Sequence, residues 1–582
     1  TAILIGGIAG LGAVAFRALI AIIHNLLFLG RLSASYDANL HTPPHPLGFA
    51  VFLVPVIGAL GVAFLVKTFA PEAKGHGVPE VMDAIYHHKG VIRPIVALIK
   101  SLASALSIGS GGSIGREGPI IQIGASFGST LGQILPVPAW QRITMIAAGA
   151  GGGIAATFNT PVGGVLFAIE IVLHEVSVRT LMPVAIATVT ATYISRLIFG
   201  VHPSFVVPAL ETPYFRLTQP LDLVLYLGLA VIVGLIAVLF IRAIYAAEDL
   251  FDHHVPGNYY TRHLLGMVIV GGAILVLLRT TGHYYVQGVG YATVQDILTG
   301  RLSAAPFLML LFAIKLAVTC LTLGSGASGG VFSPALFMGA TIGAAYGAVF
   351  NHGLSLDHVK TPAFALAGMA GLVGSATGAA LAAIVMIFEM TLDYDVIVPM
   401  TLTVAVSSGV RKLLSSDSIY TLKLTRRGHM VPQTYRQDLL DLRIARDVMS
   451  EPVPVVNAEM SLDEYAAEAA HEQQSVAGVP HLVRDHEGVI VGVVPPHRFL
   501  RVLDPRREEL TVGELASPEF VIVGEEDRLF DVLDRMYAAG AATALVVRQP
   551  GLTETADDVH GVITREEVGK TIEHAVELFG NS

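Results

Sequence analysis

Six stretches of the chain stay apolar over a membrane-relevant length: Ala2 to Leu29, Leu47 to Ala70, Leu221 to Ala246, Leu264 to Leu278, Pro306 to Leu323 and Phe364 to Phe388. About 20 apolar residues in helical conformation cross the hydrocarbon of a bilayer, so these runs predict membrane-entering helices. Between them lie shorter apolar segments cut by glycine and proline, Ile95 to Ile108, Pro119 to Leu135 and Val331 to Phe350. Lipid tolerates a broken helix only where its freed backbone groups line a cavity inside protein. The pattern therefore predicts a multi-pass helical membrane protein whose interrupted helices surround a transport site.

The pattern changes after Val410. Arg411, Lys412, Lys423, Arg426 and Arg427 follow the last apolar run, a basic flank that the positive-inside rule places in the cytoplasm, and with it the tail. From Arg446 onward, short alternating strands such as VPVV and VIVGVV interleave with amphipathic helices such as SLDEYAAEAAHEQQ, the signature of a soluble α/β region. That region occurs twice: RDVMSEPVPVV, SLDEYAAEAA and GVIVGVVPPHRFL have counterparts in TVGELASPEFVIV, RLFDVLDRMYAAG and HGVITREEV. The expected boundaries are a membrane part over 1–430 and two tail domains over 442–505 and 510–575.

The membrane part is also a duplication. GSGGSIGREGPIIQIGASFGSTLG from Gly109 returns as GSGASGGVFSPALFMGATIGAAYG from Gly324 without a gap, and AGAGG from Ala148 returns as AGMAG from Ala367, followed by Glu170 and Glu389 respectively. The two halves run over roughly 1–200 and 221–430. Glycine-rich breaks at matching places in two halves are the mark of transporters whose site lies between repeats near the midplane.

Composition narrows this further. Mean hydropathy is +0.64 and only 14% of residues are charged, too few for an ordinary soluble enzyme. Residues 441–582 carry 27 of the 46 acidic and 12 of the 36 basic side chains, so the tail is at −15 and the rest at +5. An acidic tail offers no nucleic-acid surface. The lone Cys320 excludes an intramolecular disulfide. The sequence starts at Thr1 inside an apolar stretch, and an N-terminal segment is expected to precede it.

An anion inside a bilayer needs particular chemistry. Burying a full charge costs on the order of 20 kcal/mol in the idealised limit, and one helix N-terminus returns at most about 2 kcal/mol, so several N-termini and amide groups must converge. Buried lysine or arginine in direct contact would hold the anion too tightly to release it. Glycine-rich turns that open helices supply such amides. Three are present: GHGVPEV at Gly75, GREGP at Gly115 and GGVFSP at Gly329. GSGASG at Gly324 also fits the dinucleotide pattern GxGxxG, but it follows a membrane-length apolar run and not a strand, so the nucleotide reading fails.

GREGP, GGVFSP, the FNTPVGG run from Phe158 and Tyr420 in SIYTLKL resemble, in order, the signature elements of the CLC chloride channel and transporter family, over residues 1 to 430. The resemblance implies an all-α membrane fold of two inverted repeats of broken helices, its first family helix missing here, and a homodimer with one anion pathway per subunit in the lipid bilayer. Glu117 resembles the family's gating glutamate, which occupies the anion site when ionised and leaves when protonated. Val331 and Phe332 look like residues that donate backbone N–H groups to the anion, and Tyr420 like the tyrosine whose hydroxyl faces it. The anion-binding set implied is Gly75, His76, Gly77, Val78, Pro79, Gly115, Arg116, Gly118, Pro119, Gly330, Val331, Phe332 and Tyr420. Competing readings are a salt bridge of Glu117 to Arg116 and an interfacial anchor role for Tyr420.

Two positions depart from the family pattern. GHGVP places His76 where a serine is common; its imidazole either titrates in the pathway or points to water. The inner glutamate of proton-coupled members falls at Ile171, which cannot relay a proton; His174 and Glu175 are substitutes, or surface residues at a helix end. The tail resembles a tandem CBS pair, which often binds adenine nucleotides. Thr564 and Glu567 in GVITREE retain part of the ribose-contacting pattern, while the first half has Pro495 and Arg498; nucleotide binding and a dimer-stabilising role both stand. The expectation is a chloride or small-anion pathway, not an enzyme, leaning to a passive channel gated by protonation of Glu117, with proton-coupled chloride exchange as the alternative. A membrane zinc protease with a CBS tail lacks its HExxH, since His174 and His471 open HEVSV and HEQQS.

Overall fold

The computed structural model describes the chain except for residues 47, 136, 175–177, 202–203, 206–219, 354–360, 430, 432–442, 452, 472–479, 496–509, 549–554 and 572–582. It divides into two compact units, Thr1–Val431 and Pro432–Ser582. In the first, eight helices among the described residues are long and apolar enough to cross a membrane.

The first half runs α1 (Ala2–Leu29), α2 (Leu53–Phe69), α3 (Val78–His87), α4 (Ile95–Gly109), α5 (Glu117–Ile134), α6 (Ala139–Phe158), α7 (Pro161–Phe167) and α8 (Val178–Phe199). The second half repeats the series as α9 (Pro220–Asp249), α10 (Tyr259–Thr281), α11 (Tyr291–Leu298), α12 (Ala305–Gly324), α13 (Phe332–Gly353), α14 (Thr361–Thr377), α15 (Ala380–Thr391) and α16 (Ile397–Leu414), with the short α17 (Thr421–Thr425) closing the unit. Packing repeats with it: α5 lies on α6 as α13 lies on α14, and α2 on α4 as α10 on α12. The apolar run from Phe364 to Phe388, expected as one helix, is two. Gly378 breaks it at a φ of 84°, a left-handed conformation open to glycine and closed to most side chains.

Small residues set the closeness of the paired helices. A Cβ added at Gly124 of α5 would lie 2.1 Å from the carbonyl oxygen of Gly149 in α6, and one at Gly343 of α13 would lie 2.0 Å from that of Phe364 in α14. Such backbone contact replaces the hydrophobic driving force that lipid removes.

The two halves also cap each other. Both Glu170 oxygens accept from the first turn of α15, at Leu381 N (3.0 Å) and Ala382 N (2.7 Å). Glu389 does the same for α7, at Val162 N (3.1 Å) and Gly163 N (2.7 Å). Each helix thus runs antiparallel to its counterpart, with its otherwise unpaired N-terminal amides closed by the partner's acid.

The second unit holds two three-stranded sheets of the same topology. β1 (Val455–Asn457) is parallel to β2 (His481–Arg484), which is antiparallel to β3 (Ile490–Val494). β4 (Phe520–Gly524), β5 (Thr543–Val547) and β6 (Val559–Thr564) repeat this arrangement. Leu482 and Val493 of one sheet share a buried core with Leu545 and Val562 of the other. At the end of β6, Glu567 accepts from Ser450 Oγ (3.0 Å), Thr564 N (3.0 Å) and the Thr564 hydroxyl.

Two outcomes are expected. Glu389→Ala leaves the α7 amides without their acceptor and lowers the stability of the membrane unit by about 1 kcal/mol, read as a lower melting temperature in detergent. In the tail, burial alone would raise the Glu567 pKa, but the bonds from Thr564 and Ser450 outweigh it and hold the carboxyl below its ordinary value. Its stabilisation is then complete above the unfolded glutamate value of about 4.3 and disappears as pH falls through the lower folded value. Hydrogen exchange at β6 amides should accelerate over that acid window in the wild type, with a shallower pH dependence in Glu567→Gln.

Candidate anion-binding site

The three glycine-rich turns meet backbone to backbone. Gly115 and Gly330 exchange N–H···O bonds of 2.7 Å in both directions, Gly75 N donates to Ala327 O at 3.0 Å, and Gly329 N donates to Gly75 O at 3.2 Å. A Cβ on Gly118 would fall 2.1 Å from the His76 carbonyl oxygen and 3.1 Å from Gly330 Cα. The starts of α3, α5 and α13 therefore share one locus inside the membrane unit. Because α5 and α13 are repeat counterparts that meet start to start, the halves are inverted relative to one another.

At that locus lies Glu117, the first residue of α5, with no exposed surface. Its carboxylate accepts from the backbone N–H of Ser333 in the first turn of α13 (3.2 Å), from the Ser333 hydroxyl, and from Tyr291 Oη of α11 (2.7 Å). Tyr291 and Ser333 are joined at 2.8 Å. A buried carboxylate thus sits where amide and hydroxyl donors converge, the environment a small anion requires. Among the described residues no ion pair joins Glu117 to Arg116; the guanidinium instead lies over the Tyr291 ring at 5.4 Å, and its Nε is buried without a partner.

Several expected donors are spent elsewhere. The amides of Gly115, Gly330 and Gly75 are consumed in the turn-to-turn bonds above, and Pro79 and Pro119 have no N–H; they preset φ in the first turns of α3 and α5. Gly77, at a φ of 88°, opens α3 ahead of Val78. Val331 and Phe332, both buried, open α13. Among helical first-turn amides, those near Gly118 and Phe332 have no acceptor within their own helix. Of the two readings of His76, the one that points it to water does not fit the structure: the residue is 3% exposed, its ring packs edge-on against Tyr245 at 6.2 Å, and its Nδ1 has no hydrogen-bond partner. The interfacial-anchor reading of Tyr420 does not fit either: it is 2% exposed, at the N-terminal cap of α17.

Two lysines refine the expectation that buried cations would be avoided. Lys100 of α4 and Lys315 of α12, both fully buried, occupy equivalent repeat positions. Lys100 Nζ donates to the carbonyls of Ala73 (3.0 Å) and Gly75 (2.7 Å), and Lys315 Nζ to those of Val286 and Gly288 (both 2.9 Å). Each ammonium is held by the loop that opens a short helix, α3 or α11.

Ile171 is buried in the π-helical turn that extends α7, and His174 ends that turn at a φ of 49°, 3.5 Å from the Tyr86 hydroxyl. Glu175 and Arg498 lie outside the described residues. In the tail, Thr564 and Glu567 are bonded to each other, so a ribose would have to displace one of these bonds.

The sequence profile of the voltage gated chloride channel family matches residues 57–412. The chain belongs to the CLC family. CBS domain profiles match residues 445–505 and 512–578. A H(+)/Cl(-) exchange transporter ClcA of Vibrio parahaemolyticus is 33% identical over 388 residues, 66% of this chain and 80% of that protein. A putative chloride channel protein, ClcB-like, of Ralstonia nicotianae is 33% identical over 65% of this chain and 86% of its own. A solved slow cyanobacterial Cl-/H+ antiporter superposes with a TM-score of 0.61 at 26% identity, covering 73% of this chain and 96% of its own. A eukaryotic CLC transporter, 19% identical, shares the fold with a TM-score of 0.62 over 97% of both chains. CLC membership makes this an anion-transport protein with a membrane-spanning helical fold and removes the zinc-protease reading.

Tyr291, Ser333, Lys100 and Lys315 were not among the expected site residues. For the lysines and for the position of Tyr291, though not for their contacts, the repeat carried a signal. GHGV at Gly75 corresponds to GVGY at Gly288, and IKSLAS at Ile99 to IKLAVT at Ile314, which pairs the two loops and their lysines and sets Tyr291 opposite Val78.

The close approach of Gly118 to His76 and Gly330 gives a test. Gly118→Ala should force the turns apart and weaken chloride binding at least about tenfold, about 1.4 kcal/mol, in calorimetric titration of the purified protein. Gly272→Ala, whose added methyl meets open space within α10, should bind as the wild type does.

Proposed function

We propose that this CLC protein exchanges chloride for protons across the membrane, with Glu117 serving both as competitor for the anion and as proton carrier. The observation that carries the reading is the Glu117 carboxylate held by Ser333 N and Tyr291 Oη at the start of α13. A carboxylate placed among amide and hydroxyl donors stands in for an anion. When it takes a proton it loses the charge those donors select, and the place passes to chloride. When it returns ionised, it displaces the anion.

The lean to a passive channel rested on Ile171, where no inner acid is present. Exchange is favoured because several curated relatives are named H(+)/Cl(-) exchange transporters and a 26% identical solved neighbour is titled a Cl-/H+ antiporter. A route for protons from the other side then runs without a carboxylate at Ile171, and His174, 3.5 Å from the Tyr86 hydroxyl at the end of that turn, is a candidate for it. The working unit is a homodimer with one pathway per subunit. Its CBS tail faces the cytoplasm and supports the assembly, with adenine nucleotide as an optional ligand, because Thr564 and Glu567 already satisfy one another.

Reconstituted liposomes provide the test. An inward chloride gradient should drive protons uphill in the opposite direction for the wild type, and Glu117→Gln should abolish this proton movement while chloride flux continues. Chloride flux with no uphill proton movement in the wild type would return the protein to the channel class. Persistent coupled proton movement in Glu117→Gln would remove Glu117 from the proton route.

A further inference from the structure

A separate cluster of metal-ligating side chains lies where α3 ends. Asp83 and His87 project from the last turn of α3, and His429 from the segment just beyond α17. One ligand atom of each lies within 4.8 Å of the other two. His429 Nδ1 contacts Asp83 Oδ1 at 2.5 Å, the His87 and His429 rings are 4.6 Å apart, and His88 Nδ1 stands 3.5 Å from Asp83 Oδ2. The two segments are separated by 346 residues in sequence, so no local turn explains their meeting.

The surroundings hold this cluster together without a metal. One turn earlier on α3, Glu80 accepts two bonds from Arg427 (3.1 and 2.9 Å) and pairs with Lys423 at 3.4 Å. These pairs dock the end of α17 on α3 and neutralise Glu80, leaving Asp83 as the carboxylate that faces the imidazoles. Bonds of about 2.0–2.1 Å to zinc place tetrahedral ligands roughly 3.3 Å apart, a closure that rotation of the exposed His87 and the half-exposed His429 can supply. Two or three imidazoles with one carboxylate suit zinc and its first-row neighbours. The oxygen-poor set and the adjacent Arg427 and Lys423 disfavour calcium and magnesium.

We propose that Asp83, His87 and His429 form a binding site for one zinc-class divalent ion, which clamps the segment after α17 to the end of α3. The opposite end of α3 begins at Gly77 and Val78 beside Gly118, and α17 begins at Tyr420. An ion here therefore ties together two elements that border the anion site. The effect on transport rests on the exchange reading given above; the binding of the ion does not.

The test uses the purified full-length protein and Zn2+ alone, with Co2+ as a spectroscopic probe. One Zn2+ per chain should bind, and Co2+ should give the intense visible absorption of a low-coordinate nitrogen and oxygen site. Asp83→Asn, His87→Ala and His429→Ala should each weaken binding at least about tenfold, since even outer partners of a metal site are worth that much. His486→Ala, in the exposed tail pair with Glu459, should change nothing. Unaltered melting temperatures of the variants would exclude misfolding. In liposomes, saturating Zn2+ should slow wild-type chloride flux severalfold and leave the His87→Ala/His429→Ala double variant unaffected. Equal Zn2+ binding by that double variant and the wild type, or an ion pair of His429 with Asp83 that takes up no metal, would overturn the site. Binding without any change in flux would overturn the clamp.

Discussion

Everything in the membrane unit depends on keeping a negative charge inside a low-dielectric protein without a directly bound cation. Desolvation of an ion costs far more than any one helix start returns. The structure answers by bringing the starts of α3, α5 and α13 to one point and joining their turns by reciprocal backbone bonds, above all between Gly115 and Gly330. Glu117 occupies that point in the structure with donors from two other helices around it. Close approach of this kind is open only to glycine, since the methyl of any other residue at Gly118 would overlap the His76 carbonyl.

Duplication makes the geometry economical. One folding unit, used twice in opposite senses, turns a single N-terminal turn into a facing pair. The same symmetry sets Lys100 and Lys315 behind the loops of the short helices, and it makes Glu170 and Glu389 cap each other's partner helix. Features that look unrelated in sequence are one device repeated. Each buried lysine engages its protons with carbonyls of the loop ahead of a short helix.

The far end of α3 carries a second polar network, in which Glu80 is bound by Arg427 and Lys423 while Asp83 faces His429. This network connects the end of the transport unit to the helix that opens at the anion site.

Hydropathy and the internal repeat were enough to specify a membrane helical protein with broken helices, a duplicated architecture and an α/β tail, because membrane thickness and strand alternation impose periods that a linear sequence must display. The GREGP and GGVFSP turns were also legible, since glycine at fixed spacing is required wherever backbones touch. Other features were decided only in three dimensions. Whether His76 meets water, which amides remain for an anion once Gly115 and Gly330 have paired, and that Tyr291 and Ser333 hold Glu117 all depend on contacts across many residues. The same holds for Asp83 meeting His429. Sequence records which groups a segment carries; which of them remain available after packing is settled by the partners that the fold brings, and those partners have no signature at the position itself.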